Sequence, residues 1–248
     1  MKPLPERPAP RIYTPQALAT GAAIVLEDSA ARHVAGALRL QPGAALVLFN
    51  GEGGEYRAHL EQVEKRRVQA RVEEFVDIDR ESDLKVYLGL AVSRGDRMDY
   101  AVQKSTELGV TAIHPLETAR TEVRLSAERW EKKRAHWQQV AISACEQCGR
   151  NRPPVIEAVR SLDDWLGDAP GERKLVLHHR SETGLAEASA PSAVSLLIGP
   201  EGGLSEAELE GAGRAGFEGL RLGPRVLRTE TAPVAALAII QSTWGDIH

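Results

Sequence analysis

Cysteine is nearly missing from this 248-residue chain, which has only Cys145 and Cys148. Two thiols cannot build a disulfide framework, so nothing points to an oxidising compartment. Long hydrophobic runs are missing too. The longest, Ala232 to Ile240, contains Pro233 and is far too short to cross a bilayer. Met1 to Pro10 has no apolar stretch that would serve as a signal peptide. The expectation is a soluble cytoplasmic protein. Lysine is scarce, at 7 of the 31 cations, the other 24 being arginine. Arginine suits bidentate recognition of phosphate and carboxylate, although a GC-rich or heat-adapted genome gives the same bias. Net positive charge is lacking as well: the formal charge is −4. Taken whole, that argues against a protein held on nucleic acid by bulk charge. What is present, 42% hydrophobic and 27% charged residues, is ordinary globular composition. The length suits one large domain or two ordinary ones.

The first 75 residues read mainly as short strands. Ala45 to Phe49 and Glu55 to Leu60 alternate with period two around Asn50-Gly51-Glu52-Gly53-Gly54, a hairpin turn, and Arg67 to Val72 alternates likewise. One short helix interrupts, with Asp28 or Ser29 as N-cap and Val34, Leu38 and Leu40 as its apolar positions. Short strands at this spacing suggest a small barrel. The acidic segment Val76 to Asp83 marks a boundary, giving domains 1–75 and 76–248. Beyond it, strands are expected at Leu84–Val92, Val110–Leu116, Val155–Val159, Lys174–His178, Val194–Ile198 and Arg221–Leu222. Helices are expected at Met98–Leu108, Ser126–Cys145, from Ser205, and at Thr231–Trp244. Ser205 with Glu208 makes a capping box. Apolar strands alternating with helices indicate an α/β domain with a mostly parallel sheet.

Two loops carry the chemistry. Ile198-Gly199-Pro200-Glu201-Gly202-Gly203 follows a buried strand and precedes a capped helix. Ligands bind beyond the carboxyl ends of such strands, and glycines let them approach the backbone closely. A phosphate loop is a poor description, since there is no G-x-G-x-x-G and no Walker lysine, and Glu201 would repel phosphate. The second loop, Leu222-Gly223-Pro224-Arg225-Val226-Leu227-Arg228-Thr229-Glu230-Thr231-Ala232, repeats the pattern of strand, Gly-Pro and helix start. Thr229 or Thr231 can cap that helix, and Glu230 suits its positive end.

Together these loops resemble the paired signature of the RsmE-type 16S ribosomal RNA uracil-N3 methyltransferases of the SPOUT superfamily. Ser93-Arg94-Gly95-Asp96-Arg97-Met98, Lys104 to Val110, Glu146-Gln147 with Arg150, and His33 with Ala37-Leu38-Arg39 and Pro42-Gly43 also match. One departure is Arg94, where the family often has lysine. The resemblance implies a C-terminal trefoil-knotted SPOUT domain, preceded by a PUA-like β-barrel that binds RNA. It also implies a homodimer, S-adenosylmethionine as cofactor and 16S rRNA, in the assembled small subunit, as partner. Apart from the resemblance, His178 and His179 are not followed by further ligands at the spacing of a known metal motif, so no metal is expected, and no membrane partner is expected either. By the same resemblance, Leu177, His178, Ile198, Gly199, Pro200, Glu201, Gly202 and Gly203 surround the cofactor. So do Leu222, Gly223, Val226, Leu227, Arg228 and Thr231. Backbone groups of Gly199, Leu222, Val226 and Leu227 would hold the adenine.

A neutral uracil N3–H is no nucleophile, and an ordinary carboxylate is too weak a base to deprotonate it alone. A guanidinium at the uracil carbonyl oxygens would stabilise the developing charge. Arg228 is the first candidate, with Arg225 and Arg94 behind it. Glu201 or Glu230 would orient the arginines or accept the proton.

RNA also needs cations. From Arg120 to Arg152 there are eight against four acids, whereas residues 157–218 hold five against twelve. The overall −4 therefore hides a basic stretch behind an acidic one. Arg120, Arg124, Arg150 and Arg152 are candidate phosphate contacts, as are Arg7, Arg11, Arg32, Arg39, Lys65, Arg66 and Arg67 in the barrel. Trp130 and Trp137, seven apart on one helix face, read as core rather than base-stacking residues. Cys145-Glu146-Gln147-Cys148 has no second pair and reads as two small residues at a helix end. A SPOUT enzyme acting on another rRNA or tRNA base, and a non-catalytic RNA-binding protein, are the alternatives.

Overall fold

The computed structural model describes residues 9–64, 67–179, 181, 185 and 189–248. The chain divides into two compact units, one of Met1–Glu81 with Cys145–Arg152 and one of Ser82–Ala144 with Pro153–His248. The first extends past the expected boundary at residue 75 and takes in a distant segment. Glu81 is the reason: its carboxylate accepts from the Arg150 guanidinium at 2.6 Å and from the backbone N–H groups of Asn151 and Arg152.

The first unit is built on β1 (Arg11–Tyr13), β2 (Ala23–Val25), α1 (Asp28–Arg32), β3 (Ala45–Phe49), β4 (Glu55–Val63) and β5 (Val68–Val76). Its strands run in the order β1-β3-β4-β5-β2, with β1 parallel to β3 and the other pairs antiparallel. The Asn50–Gly54 turn joins β3 to β4 as a hairpin, as its glycines require. The helix departs from expectation. Glu27 is the N-cap and makes no side-chain cap bond, because its carboxylate accepts from Thr14 and Gln16 instead. After α1 the chain widens into a π-helical turn, His33–Ala37, with Leu38 N–H donating to His33 O. That shift in register leaves Leu38 exposed while Val34 is buried.

The second unit contains β6 (Lys85–Ala91), α2 (Asp96–Glu107), β7 (Ala112–Glu117), α3 (Ala127–Cys148, whose last residues belong to the first unit), β8 (Val155–Ile156), β9 (Arg160–Ser161) and α4 (Leu162–Asp168). It continues with β10 (Arg173–Leu177), β11 (Ala193–Ile198), α5 (Glu206–Arg214), β12 (Glu218–Leu220) and α6 (Thr231–Trp244). The sheet order is β12-β10-β11-β6-β7-β8, with β9 also on β7, and the pairs are parallel. The expected strand at Arg221–Leu222 lies earlier, at Glu218–Leu220, because its partner β10 ends at Leu177, opposite Leu220. Of the expected Val155–Val159 strand only Val155–Ile156 pairs with β7, and a second short strand follows at Arg160–Ser161 on a later part of β7. Among the described residues no helix is long and apolar enough to cross a membrane.

Both faces of this sheet are covered, which accounts for its continuously apolar strands. Leu196 and Ile198 pack with Val86, Leu88, Trp137 and Leu237 on one face, while Leu197, between them, joins Trp165, Ala212 and Phe217 on the other. Trp130 packs against Trp137 and the same core. Gly89 gives Trp165 its seat, since a Cβ there would lie 2.5 Å from the indole ring. His114 lies beside Trp165, its centroid 5.8 Å from that ring and 6.5 Å from the Tyr87 ring. Among the described residues neither ring nitrogen has a hydrogen-bond partner.

Burial chiefly, and Arg160 to a lesser degree, lowers the His114 pKa below the ordinary 6.5, against the opposing pull of Glu157 and Asp168. The unfolded chain then binds this proton more tightly than the native one. Stability should fall as pH drops below 6.5 and should level off only beneath the native pKa. His114→Phe should flatten that part of the pH–stability profile in denaturant titrations.

Candidate functional site

Parallel pairing puts the carboxyl ends of β12, β10, β11, β6 and β7 on one edge of the sheet, and the loops that follow them meet there. A cavity of about 560 Å³ opens at this edge. Leu177 and His178 reach it from the end of β10, where His178 N–H extends the pairing by donating to Leu220 O. From β11 come Ile198 and the loop through Leu204. From beyond β12 come Leu222, Gly223 and the stretch Arg225–Glu230.

The glycine loop is shaped from within. Gly203 adopts φ +68° and its N–H donates to Pro200 O at 2.8 Å, closing a tight turn. A Cβ on Gly199 would come within 2.9 Å of Leu204. Ser205 then caps α5 in a complete capping box with Glu208. The second loop enters α6 differently: its N-cap is Glu230, whose side chain makes no capping hydrogen bond. Neither Thr229 nor Thr231 is the N-cap; instead, Thr231 N–H and Ala232 N–H both donate to Arg228 O at 2.9 Å.

Charge is unevenly paired around the cavity. Arg97, from the first turn of α2, stands 2.9 Å from Glu201 and 4.0 Å from Glu230, bridging the two loops. Arg94 lies outside the lining and pairs with Glu122 at 2.9 Å. It borders an adjoining cleft of about 510 Å³ that shares Arg97 and Glu201 with the main cavity. Among the described residues no carboxylate pairs with Arg225 or Arg228, both of which line the cavity.

Residues 80–241 match the family model for an RNA methyltransferase domain, and residues 26–73 match an RNA methyltransferase PUA domain. Ribosomal RNA small subunit methyltransferase E of Bacillus subtilis is 36% identical over 218 residues, 84% of this chain and 85% of that protein. The chain belongs to this methyltransferase E family. The corresponding Buchnera aphidicola protein (subsp. Schizaphis graminum) is 32% identical and covers 96% of this chain and 98% of its own. The Neisseria gonorrhoeae methyltransferase E, solved bound to S-adenosyl methionine, superposes with a TM-score of 0.90 at 41% identity, covering 97% of this chain and all of that one. A Legionella pneumophila protein in complex with the cofactor SAM gives 0.94 at 41% identity, over 96% and 99% of the two chains.

Of the residues expected around the cofactor, all but Thr231 line the cavity. Thr231 is exposed on the first turn of α6, and the buried Thr229 takes the place at the wall. Of the catalytic candidates, Arg228, Arg225, Glu201 and Glu230 come together, whereas Arg94 is set apart in its cleft. Arg97, present in the Ser93–Met98 motif but not singled out there, is the residue that sequence reasoning missed. Its carboxylate partner is 104 positions away, so no local spacing marks it.

The expected phosphate contacts divide sharply. Arg11 is half-buried and paired with Glu55, donates to Asn151 Oδ1 at 2.5 Å, and lies with its guanidinium over the Phe49 ring. Arg150 is buried on Glu81. Neither guanidinium is free for a phosphate, because each is committed to a half-buried carboxylate. Arg120 is spent on backbone carbonyls of the glycine loop. Arg32, Arg39, Arg67, Arg124 and Arg152 are exposed, and Arg7, Lys65 and Arg66 lie outside the described residues. The Cys145 thiol is held far above its ordinary pKa by its hydrogen bond with Cys148 and by burial, which suits a packing role.

Ser205→Ala should cost about 1 kcal/mol of stability by removing the N-cap acceptor, measured by denaturant unfolding. Amide exchange should rise first at Glu208, whose N–H loses its partner.

Proposed function

We propose that this protein is an S-adenosylmethionine-dependent methyltransferase that modifies N3 of a uridine in the 16S RNA of the small ribosomal subunit. The observation that carries the reading is the cavity itself: a glycine-rich turn and an apolar wall face Arg225 and Arg228, which have no carboxylate partner among the described residues. Its volume falls within the range of about 300–1,000 Å³ of small-molecule sites. Methyltransferase E relatives, one of them solved with S-adenosyl methionine, support the same reading.

The residues present fit the cofactor. Leu177, Ile198, Leu222, Val226 and Leu227 supply apolar surface for an adenine, with Val226 standing 76% exposed at the rim. The glycines let backbone N–H and C=O groups of the two loops reach the ligand without side chains in the way. S-adenosylmethionine supplies a methyl group activated on a sulfonium. The protein's task is to make N3 of the uracil nucleophilic. Arg228 stabilises the anion by donating to the uracil carbonyl oxygens as charge develops there, and Arg225 assists. Glu201 and Glu230, held at the cavity by Arg97, orient these groups or accept the proton. Arg94 serves the adjoining cleft, outside the cofactor's wall.

The exposed Arg32, Arg39, Arg67, Arg124 and Arg152 contact RNA phosphates. Their scatter over a chain of net charge −4 makes binding depend on substrate shape and on salt. The trefoil knot, the homodimer, the cytoplasmic location and the assembled small subunit as substrate belong to the same proposal.

N3-methyluridine cannot form a Watson–Crick pair, so reverse transcriptase should stop at it. A stop on 16S rRNA should vanish in a deletion strain and return when its small subunits are incubated with protein and S-adenosylmethionine. If no stop depends on the protein, the assignment of the base fails. Arg228→Ala should lower methylation at saturating cofactor by at least about 100-fold while calorimetry still detects cofactor binding. Full activity in that variant would remove Arg228 from the mechanism.

A further inference from the structure

We infer that Arg120 is a positioning residue for the cofactor loop, setting the orientation of the Gly202–Gly203 peptide. The inference rests on the reading of the cavity as an S-adenosylmethionine site.

The peptide between Gly202 and Gly203 has no Cβ on either side, so steric resistance to rotation of its plane is minimal. In this structure the plane is held at both ends. Its N–H donates to Pro200 O at 2.8 Å within the turn. Its carbonyl, Gly202 O, accepts from Arg120 Nη1 at 2.7 Å, and the same nitrogen lies 3.4 Å from Leu204 O. The Arg120 side chain also lies against the α carbon of Gly202: a Cβ there would be 3.3 Å from Arg120 Cδ and 3.4 Å from its Cβ.

Arg120 is itself delivered from a fixed turn. The hydroxyl of the buried Thr121 accepts from Thr118 N–H and lies 2.9 Å from the Thr118 hydroxyl. Ala119 N–H donates to Glu208 Oε1 at 2.7 Å, and the other oxygen of that carboxylate accepts from Ser205 N–H at 2.7 Å. One carboxylate thus ties the turn after β7 to the start of α5. The guanidinium spans from that anchored turn to the glycine peptide. A loop that reads its ligand through backbone groups keeps affinity only if those groups are oriented before the ligand arrives, because ordering them on binding subtracts from it.

The test is calorimetric titration of S-adenosylmethionine into the wild-type protein, Arg120→Ala, Arg120→Lys and Glu208→Gln, without RNA, with thermal unfolding of each. Arg120→Ala should weaken cofactor binding about tenfold, as expected for loss of a charge-assisted hydrogen bond. Arg120→Lys, which keeps a donor, should recover part of that loss. Glu208→Gln leaves the arginine in place but loosens its turn, and should weaken the cofactor while the affinity for small subunits holds. In methylation assays the Arg120→Ala defect should appear in KM for the cofactor more than in kcat. Wild-type affinity for S-adenosylmethionine in Arg120→Ala would overturn the inference. So would a rise in KM for RNA alone, with the salt slope reduced by about one, the mark of a phosphate contact. Failure of the wild-type protein to bind S-adenosylmethionine would instead overturn the reading of the cavity.

Discussion

The parallel register of the large sheet is the constraint on which the rest depends. A parallel strand hands every loop of one kind to the same edge, so His178 at the end of β10 and the loops after β11 and β12 meet although forty residues separate β10 from β12. Pairing of Leu196 with both Leu88 and Leu175 holds β11 at the centre of that arrangement. Burial on both faces then supports the register, since Leu196 and Leu197 belong to opposite cores, and a slip of one residue would exchange them.

On this edge the arginines have separate tasks. Arg97 bridges the carboxylates of two loops, Arg94 is paired in the adjoining cleft, and Arg120 is engaged with backbone carbonyls. Arg225 and Arg228 line the cavity, and among the described residues no carboxylate pairs with either. A count of basic residues would treat these five alike. Their differences arise from what each guanidinium meets, and in Arg11 and Arg150 the same side chain neutralises a half-buried carboxylate.

How much was legible depended on how far away each residue's partner lies. The hairpin at Asn50–Gly54, the Ser205–Glu208 capping box and the span of α6 were all readable, because their signals sit within a few residues. The two Gly-Pro loops were readable for the same reason. The N-terminal helix was misjudged because Glu27, the true cap, is drawn to Thr14 and Gln16, and because a π-helical turn displaces Leu38. The last strand was misplaced because its extent is set by where β10 ends, not by its own composition.

By itself, the sequence determined the α/β character, the paired loops and the residue types that a methyl-transfer site needs, since these rest on local periodicity, turn chemistry and motif. Only the tertiary structure decided which arginines face the cavity and which are spent. Arg97 meets Glu201 across 104 residues and Arg120 meets Gly202 across 82. Contacts at that separation are made by strand order and helix docking, and a guanidinium's role is set by the acceptor that those bring within 3 Å.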